Sequence, residues 1–257
     1  MKWLSALSFL LLSSVLPASP IVLVDDGQRE VTLPGPAQRI VSLAPHITEV
    51  LFAAGAGDRI VGTVSYSDFP EAAKAIPLVG SYNQVNFERI LAMNPDLIIG
   101  WYEGNSAETV EKLSLLKVPV YMSDPKTMDS ISRNIRQFGV LTGTEAIADR
   151  AAAQYDARRA ELQQANANKP EFEPHDRYGH RVDRVNYHPA YHSLMNMALR
   201  EGLHSSPWTD PGPGAHVVRA AKYYMHAQVE GGHGCPITMT FASVPSLRLT
   251  PSIAERW

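Results

Sequence analysis

Over the first 144 positions, apolar residues fall in short β-branched runs separated by amphipathic stretches, with Pro or Gly at each change of rhythm. Residues 39–43 (RIVSL) read as a buried strand. Ala44-Pro45-His46 breaks it, because proline cannot donate to a ladder and biases the preceding residue away from helix. Thr48 is then placed to cap a helix through Val50, Leu51, Phe52 and Ala54, with Glu49 in its first turn. Gly55 and Gly57 close that helix and residues 60–63 begin a second strand, completing a βαβ unit. Ligands of such units sit beyond the carboxyl ends of the strands, near the helix N-termini, which places residues 44–48 at a binding cleft.

The same alternation continues. Asp26-Gly27 between two short apolar runs predicts a hairpin over residues 21–33. Residues 64–80 are irregular, punctuated by Pro70 and Pro77. Helices are predicted over residues 87–93, 107–117 and 128–141, the last ending at Gly143, with strands over 97–100 and 118–122. Strands alternating with helices at this spacing imply a parallel sheet covered on both faces. Glu145–Ala167 lacks Gly and Pro and carries small or apolar residues at Ala148, Ala151, Ala152, Tyr155 and Leu162, so one long helix is expected. Beyond Lys169-Pro170 the rhythm changes. The rest reads as helical: one helix from Pro189 to Gly202, one over residues 215–230, and one headed by Pro236.

The run RIVSLAPHITEVLFAAGAGDRIVG resembles the opening of periplasmic substrate-binding proteins for cobalamin and ferric siderophores. The continuation VSYSDFPEAAKAIPLVGSYNQVNFERILAMNPDLIIGW is similar to the cobalamin-binding, BtuF-like branch, and the resemblance covers roughly residues 21–165. It implies an α/β lobe of the helical-backbone type feeding cobalamin, or a related corrinoid or metal chelate, to the permease of an ABC importer. Tyr66, Tyr82 and Trp101 lie after expected strands or in the connections beyond them, and aromatic faces there suit a broad, flat, largely apolar ligand. Packing of the loops is the structural alternative for all three. The resemblance favours contact with a corrin ring for Tyr66, puts Tyr82 where tryptophan is more common, and matches Trp101 to an aromatic strand end. Pro45 and His46 border the same cleft. His46 replaces a small polar residue, and is expected as a solvent-facing loop histidine rather than a cobalt ligand. Glu88 matches the glutamate that docks onto the permease.

The last third resembles a different family, the N-terminal helical region of AidB-type acyl-CoA dehydrogenases. It does so through DRYGHRVDRVNYHPAYHSLM and PGAHVVRAAKYYMHAQVEGGHGCPITMTFASVP. The chain therefore reads as a hybrid: residues 1–19 a secretory signal, 20–144 an α/β ligand-binding lobe, 145–168 a connecting helix, and 169–257 an all-α segment. The second lobe of the receptor family is not expected, so cobalamin binding should be impaired. As alternatives, the chain is a fragment of a flavin-dependent acyl-CoA dehydrogenase, with FAD as cofactor only under that reading, or a hybrid without function. No catalytic residue maps onto it, and no enzymatic activity is expected.

Composition narrows the partners. A net charge of −3 gives no electrostatic footprint for nucleic acid. Lys2 followed by LSALSFLLLSSVL and Pro17-Ala18-Ser19 has the form of an export signal. The apolar run is too short to span a bilayer, so a soluble periplasmic location is expected rather than a membrane-embedded one. Cys235 is the one cysteine, which excludes an intrachain disulfide and a multi-thiolate metal site. Eight of the nine histidines follow Pro170. His188 and His192 stand four apart, but no glutamate lies between them in the HExxH arrangement. His226, His233 and Cys235 match no ligand spacing, and no metal is expected. Arg200, Arg219 and Lys222 read as solvated helix faces, whereas Met195, Tyr223, Tyr224 and Phe241 are expected to be exposed apolar positions.

Overall fold

A computed structural model describes residues 19–255; the expected export signal lies essentially outside the described residues. The chain divides after Ala153 into two compact units.

Unit 1 begins with the hairpin β1 (Ile21–Val24) and β2 (Glu30–Leu33), antiparallel as Asp26-Gly27 implies. There follow β3 (Ile40–Ser42), α1 (Pro45–Ala53), β4 (Ile60–Gly62), the short pair β5 (Gly80–Ser81) and β6 (Gln84–Val85), and α2 (Phe87–Ala92). β7 (Leu97–Trp101), α3 (Ala107–Ser114), β8 (Val120–Ser123), α4 (Met128–Thr142) and the long α5 (Glu145–Ala167) complete the series. The sheet is parallel, in the order β4-β3-β7-β8.

Strand alternation sorts the core into two layers. Ile40, Leu97, Ile99 and Tyr121 meet Ile47 and Leu51 of α1 and Ile135 and Phe138 of α4. Val41 and Ile98 face the other way, onto Ile90 of α2 and Leu113 of α3. Both sheet faces are covered, as near-continuous apolar strands require. Gly143 ends α4 in the left-handed region, φ 67°, where a Cβ is costly.

Two local readings change. α1 starts at Pro45, not after it, with Ala44 in extended geometry as N-cap. Proline loses no hydrogen bond in a first helical turn, so it opens this helix instead of separating it from the strand. Thr48 is therefore inside α1 and caps nothing; its hydroxyl turns into the protein.

The hairpin turn also does more than reverse the chain. Asp25 is clamped by Arg29 at 2.8 Å and accepts from Met122 N, while Asp26 accepts from Asp124 N and Arg133. The two carboxylates thereby tie the hairpin to the edge of β8.

Unit 2 contains the second part of α5, then β9 (Glu171–His175), β10 (Arg181–Asn186), α6 (Pro189–Arg200), α7 (Ser206–Thr209), α8 (Ala215–Ala227), α9 (Gly234–Arg248) and α10 (Pro251–Ala254). The helical segment is present from Pro189 onward. The all-α expectation for residues 169–257 is corrected by the antiparallel hairpin β9–β10 that precedes it. Its strands are exposed on both faces, with Phe172 and Val185 largely solvated, so no period-two apolar signal marks them. Asp176 organises the turn by accepting from the backbone N–H of Tyr178 and His180.

Phe241 is not an exposed apolar residue: Trp208 lies 5.1 Å from its ring and the Arg219 guanidinium 3.8 Å above it. Arg219 is correspondingly no solvated side chain, and it also donates to Leu203 O at 2.8 Å. Met195 and Tyr223 pack on Ala198, Leu203 and Ile237. Tyr224 is exposed as expected.

Candidate functional site

The strand-to-helix junction is immediate in unit 1. Leu43 still donates to Ile99 O, Ala44 is extended, and Pro45 opens α1. His46 is consequently placed over the carboxyl ends of the strands, half-buried rather than on a solvent-facing loop. Its ring meets Trp101, the last residue of β7, edge to face at 5.1 Å and 84°. The Tyr82 ring lies 6.2 Å from Trp101. His46, Trp101 and Tyr82 thus form a continuous aromatic surface.

Asn105 holds this surface together. Its Oδ1 accepts from Trp101 N at 2.7 Å, while Nδ2 donates to Leu43 O and Tyr82 O. One buried amide therefore ties three segments, and a satisfied buried network of this kind rigidifies what it joins.

A chain of hydroxyls fixes the neighbouring turn. Ser42 and Thr48 are 2.8 Å apart, Thr48 and Thr63 are 2.8 Å apart, and Thr63 donates to Ser67 at 2.8 Å. This pins residues 64–67, where Tyr66 occupies the left-handed region at φ 70°, a costly conformation for a bulky residue. The Tyr66 side chain stands 80% exposed at the tip. It belongs to the same end of the sheet without joining the ring-to-ring chain.

Beside the aromatic surface runs an apolar groove of about 360 Å³ between α1 and α4. Ile47, Val50, Ala53, Ile131 and Ile135 line it, with His46, Glu49 and Phe69 at its margin. Burial holds the His46 imidazole below its usual range, against the opposing pull of Asp124. Burial pushes the Glu49 carboxyl up, and the nearby Asp68 charge adds to that. Glu88 lies elsewhere in unit 1, exposed in the first turn of α2, a helix capped by Asn86 accepting from Arg89 N.

In unit 2, His188 is the N-cap of α6, its Nδ1 accepting from Ala190 N, and His192 packs edge-on to Tyr187. His233 is buried against Glu230 at 2.9 Å. Among the described residues no group of three potential metal ligands converges. A cavity of about 450 Å³ is lined by Tyr187, His188, Tyr191, Glu230 and Cys235 among others. Its lining holds a carboxylate and no lysine or arginine, so it does not fit the pyrophosphate of a flavin dinucleotide, and no flavin step is assigned to unit 2.

The asparagines were beyond sequence reading. Asn105 and Asn134 carry no motif, and their bonds reach far along the chain, from Asn105 to Leu43 O and Tyr82 O and from Asn134 Nδ2 to Asp26 Oδ2. The polar run GNS just after the aromatic strand end was the one available signal for Asn105.

Comparison with known proteins places these observations. The family described as periplasmic binding protein matches residues 40–175, and the family described as adaptive response protein AidB N-terminal domain matches residues 114–257. A vitamin B12-binding protein of Vibrio campbellii is 41% identical over 130 residues, covering 51% of this chain and 47% of that protein. The one from Pectobacterium atrosepticum is 40% identical over 129 residues, covering 50% and 46%. The crystal structure of the periplasmic vitamin B12 binding protein BtuF of Vibrio cholerae superposes with a TM-score of 0.51 at 37% identity, covering 54% of this chain and 55% of that one. The chain spans about half the length of the curated relatives it matches.

Proposed function

Since this chain belongs to two families, periplasmic binding proteins through residues 40–175 and the AidB N-terminal domain through residues 114–257, we propose a function for unit 1 alone: a receptor lobe for one face of a corrinoid. The observation that carries this reading is the surface His46–Trp101–Tyr82 at the carboxyl end of a parallel sheet. Such ends are where α/β sheets hold ligands. Large aromatic faces supply contact area to a flat apolar ring at small entropic cost. Pro45 sets the position of His46, and Tyr66 adds an exposed contact at the rim. The vitamin B12-binding relatives support cobalamin as the ligand.

In this reading the protein works in the periplasm, delivered there by the signal in residues 1–19, and passes its ligand to an ABC importer. Glu88, exposed on α2, is the contact for an arginine of the permease. Exchange to Glu88→Ala is expected to weaken recruitment to permease-containing liposomes while leaving corrinoid affinity unchanged.

Unit 1 covers one face of the ring, and the rigid-body cost of association, about 4–15 kcal/mol, does not shrink with the contact area. Binding is therefore weak, with a Kd no tighter than about 1 μM, near −8 kcal/mol. Titration of the purified chain with cyanocobalamin, followed by corrin absorption, tests this. A saturable one-to-one shift is expected, and a spectrum unchanged at millimolar ligand overturns the proposal.

A further inference from the structure

Two residues that line the groove between α1 and α4 each carry a buried polar atom without a hydrogen-bond partner: His46 Nε2 and Asn134 Oδ1. Asn134 is 1% exposed. Its orientation is settled by its other end, where Nδ2 donates to Asp26 Oδ2 at 3.1 Å. A carboxylate only accepts, so turning the amide over would set two acceptors against each other. Oδ1 is therefore an acceptor without a partner on a residue that lines the groove. A buried acceptor without a donor forfeits its hydration for nothing in return, which favours an occupant that brings an N–H or O–H.

The groove walls are otherwise mainly apolar, with Ser123 and Glu49 the remaining polar residues, and about 360 Å³ corresponds to roughly a dozen waters at ~30 Å³ each. The occupant is thus a short apolar stem ending in a donor-bearing polar group. The groove shares His46 with the aromatic surface, so a ring lying on Trp101 has its periphery at the groove mouth. Glu49 stands on the rim and disfavours an anion.

Resting on the corrinoid reading, we infer that the α1–α4 groove is a specificity subsite that accepts the neutral carboxamide arms of a corrin and rejects carboxylate arms on the same kind of ring. A primary carboxamide offers an N–H to Asn134 Oδ1 and a carbonyl oxygen to an N–H at His46 Nε2. An ionised carboxylate offers no donor, and it meets Asn134 Oδ1 and Glu49 acceptor to acceptor. Sites built to hydrogen-bond a ligand group discriminate sharply against the analogue that cannot pair, because the protein atom is then left unsatisfied.

The test compares two probes with one macrocycle and different arms: dicyanocobinamide, which carries carboxamides, and dicyanocobyrinic acid, which carries carboxylates. Absorption titrations of the full chain at pH 7.5 are expected to favour the amide probe by about tenfold or more, the equivalent of about 1.4 kcal/mol. The preference should persist in 0.5 M salt, where the Debye length falls to a few ångströms. Asn134→Leu should narrow it to under threefold, chiefly by weakening the amide probe. Glu49→Gln should strengthen binding of the carboxylate probe by a larger factor than it changes binding of the amide probe. Equal affinities in the wild-type chain, or a preference abolished by salt alone, overturn the subsite while the receptor reading stands. Binding of neither probe overturns the receptor reading and the subsite with it.

Discussion

The two units solve the burial problem differently. In unit 1 the parallel sheet carries its own cover: Ile40, Leu97, Ile98 and Ile99 are fully enclosed between α1 and α4 on one face and α2 and α3 on the other. Among its described residues unit 2 has two small buried groups, Leu162, Ala165, Ala190 and Leu194 in one, Ala198, Leu203 and Ile237 in the other. Helix α8 buries none of its residues fully, and Val217, Val218, Tyr224 and Met225 on it are exposed. A βα series repeats a packing that closes on itself. Helix α8 instead keeps apolar side chains open to solvent among the described residues.

Mutations that probe enclosure should separate the units most. Phe138 is fully buried and meets Tyr121 edge to face at 5.9 Å. Phe138→Ala should cost about 3–5 kcal/mol in urea unfolding followed by circular dichroism. A cost below about 1 kcal/mol would mean the unit 1 core is loosely packed. Next in size, Asp25→Ala should cost about 2–3 kcal/mol, because it strands Arg29 and Met122 N together. Near-neutrality there would show that the hairpin is not anchored to β8 through this carboxylate.

A smaller effect follows from His46. Its folded pKa lies below the ordinary 6.5 through burial, so as pH falls below that value the unfolded chain takes a proton the folded one refuses. Stability is then unaffected above pH 7 and declines from about pH 6.5 downward. His46→Phe keeps a ring against Trp101 and should flatten this acid limb in unfolding curves recorded between pH 7.5 and 5. An unchanged limb would assign it elsewhere, for instance to His226, lowered in the same direction by burial and by His233. Smallest of all, Tyr224→Ala on the open side of α8 should change stability by no more than about 0.5 kcal/mol. The same exchange should reduce binding of a dye that reports exposed apolar surface.

Most of unit 1 was legible because its strands are β-branched and its breaks carry Pro or Gly, signals that are local. Glu145–Ala167 emerges as a helix with the same ends that its Gly- and Pro-free composition implied. What local pattern misses is the use of polar residues at a distance. Thr48 has the composition of a cap, yet it joins a hydroxyl chain whose other members, Ser42, Thr63 and Ser67, come from separate segments. Asn105 bridges residues 62 and 23 positions away. The β9–β10 hairpin escaped for the opposite reason: with both faces solvated it has no apolar period, although Asp176 and Gly179 do mark its turn. At the candidate site, the structure brings together His46, Tyr82 and Trp101, while Tyr66 stands apart on its own turn.

Amide hydrogen exchange with and without saturating cyanocobalamin addresses the central claim, that ligand recognition resides at the carboxyl end of the unit 1 sheet. Exchange should slow in residues 43–48, 64–67, 82–85 and 101–105, and remain unchanged through residues 171–255. Slowing confined to the helices of unit 2, with the unit 1 strand ends unaffected, would contradict it.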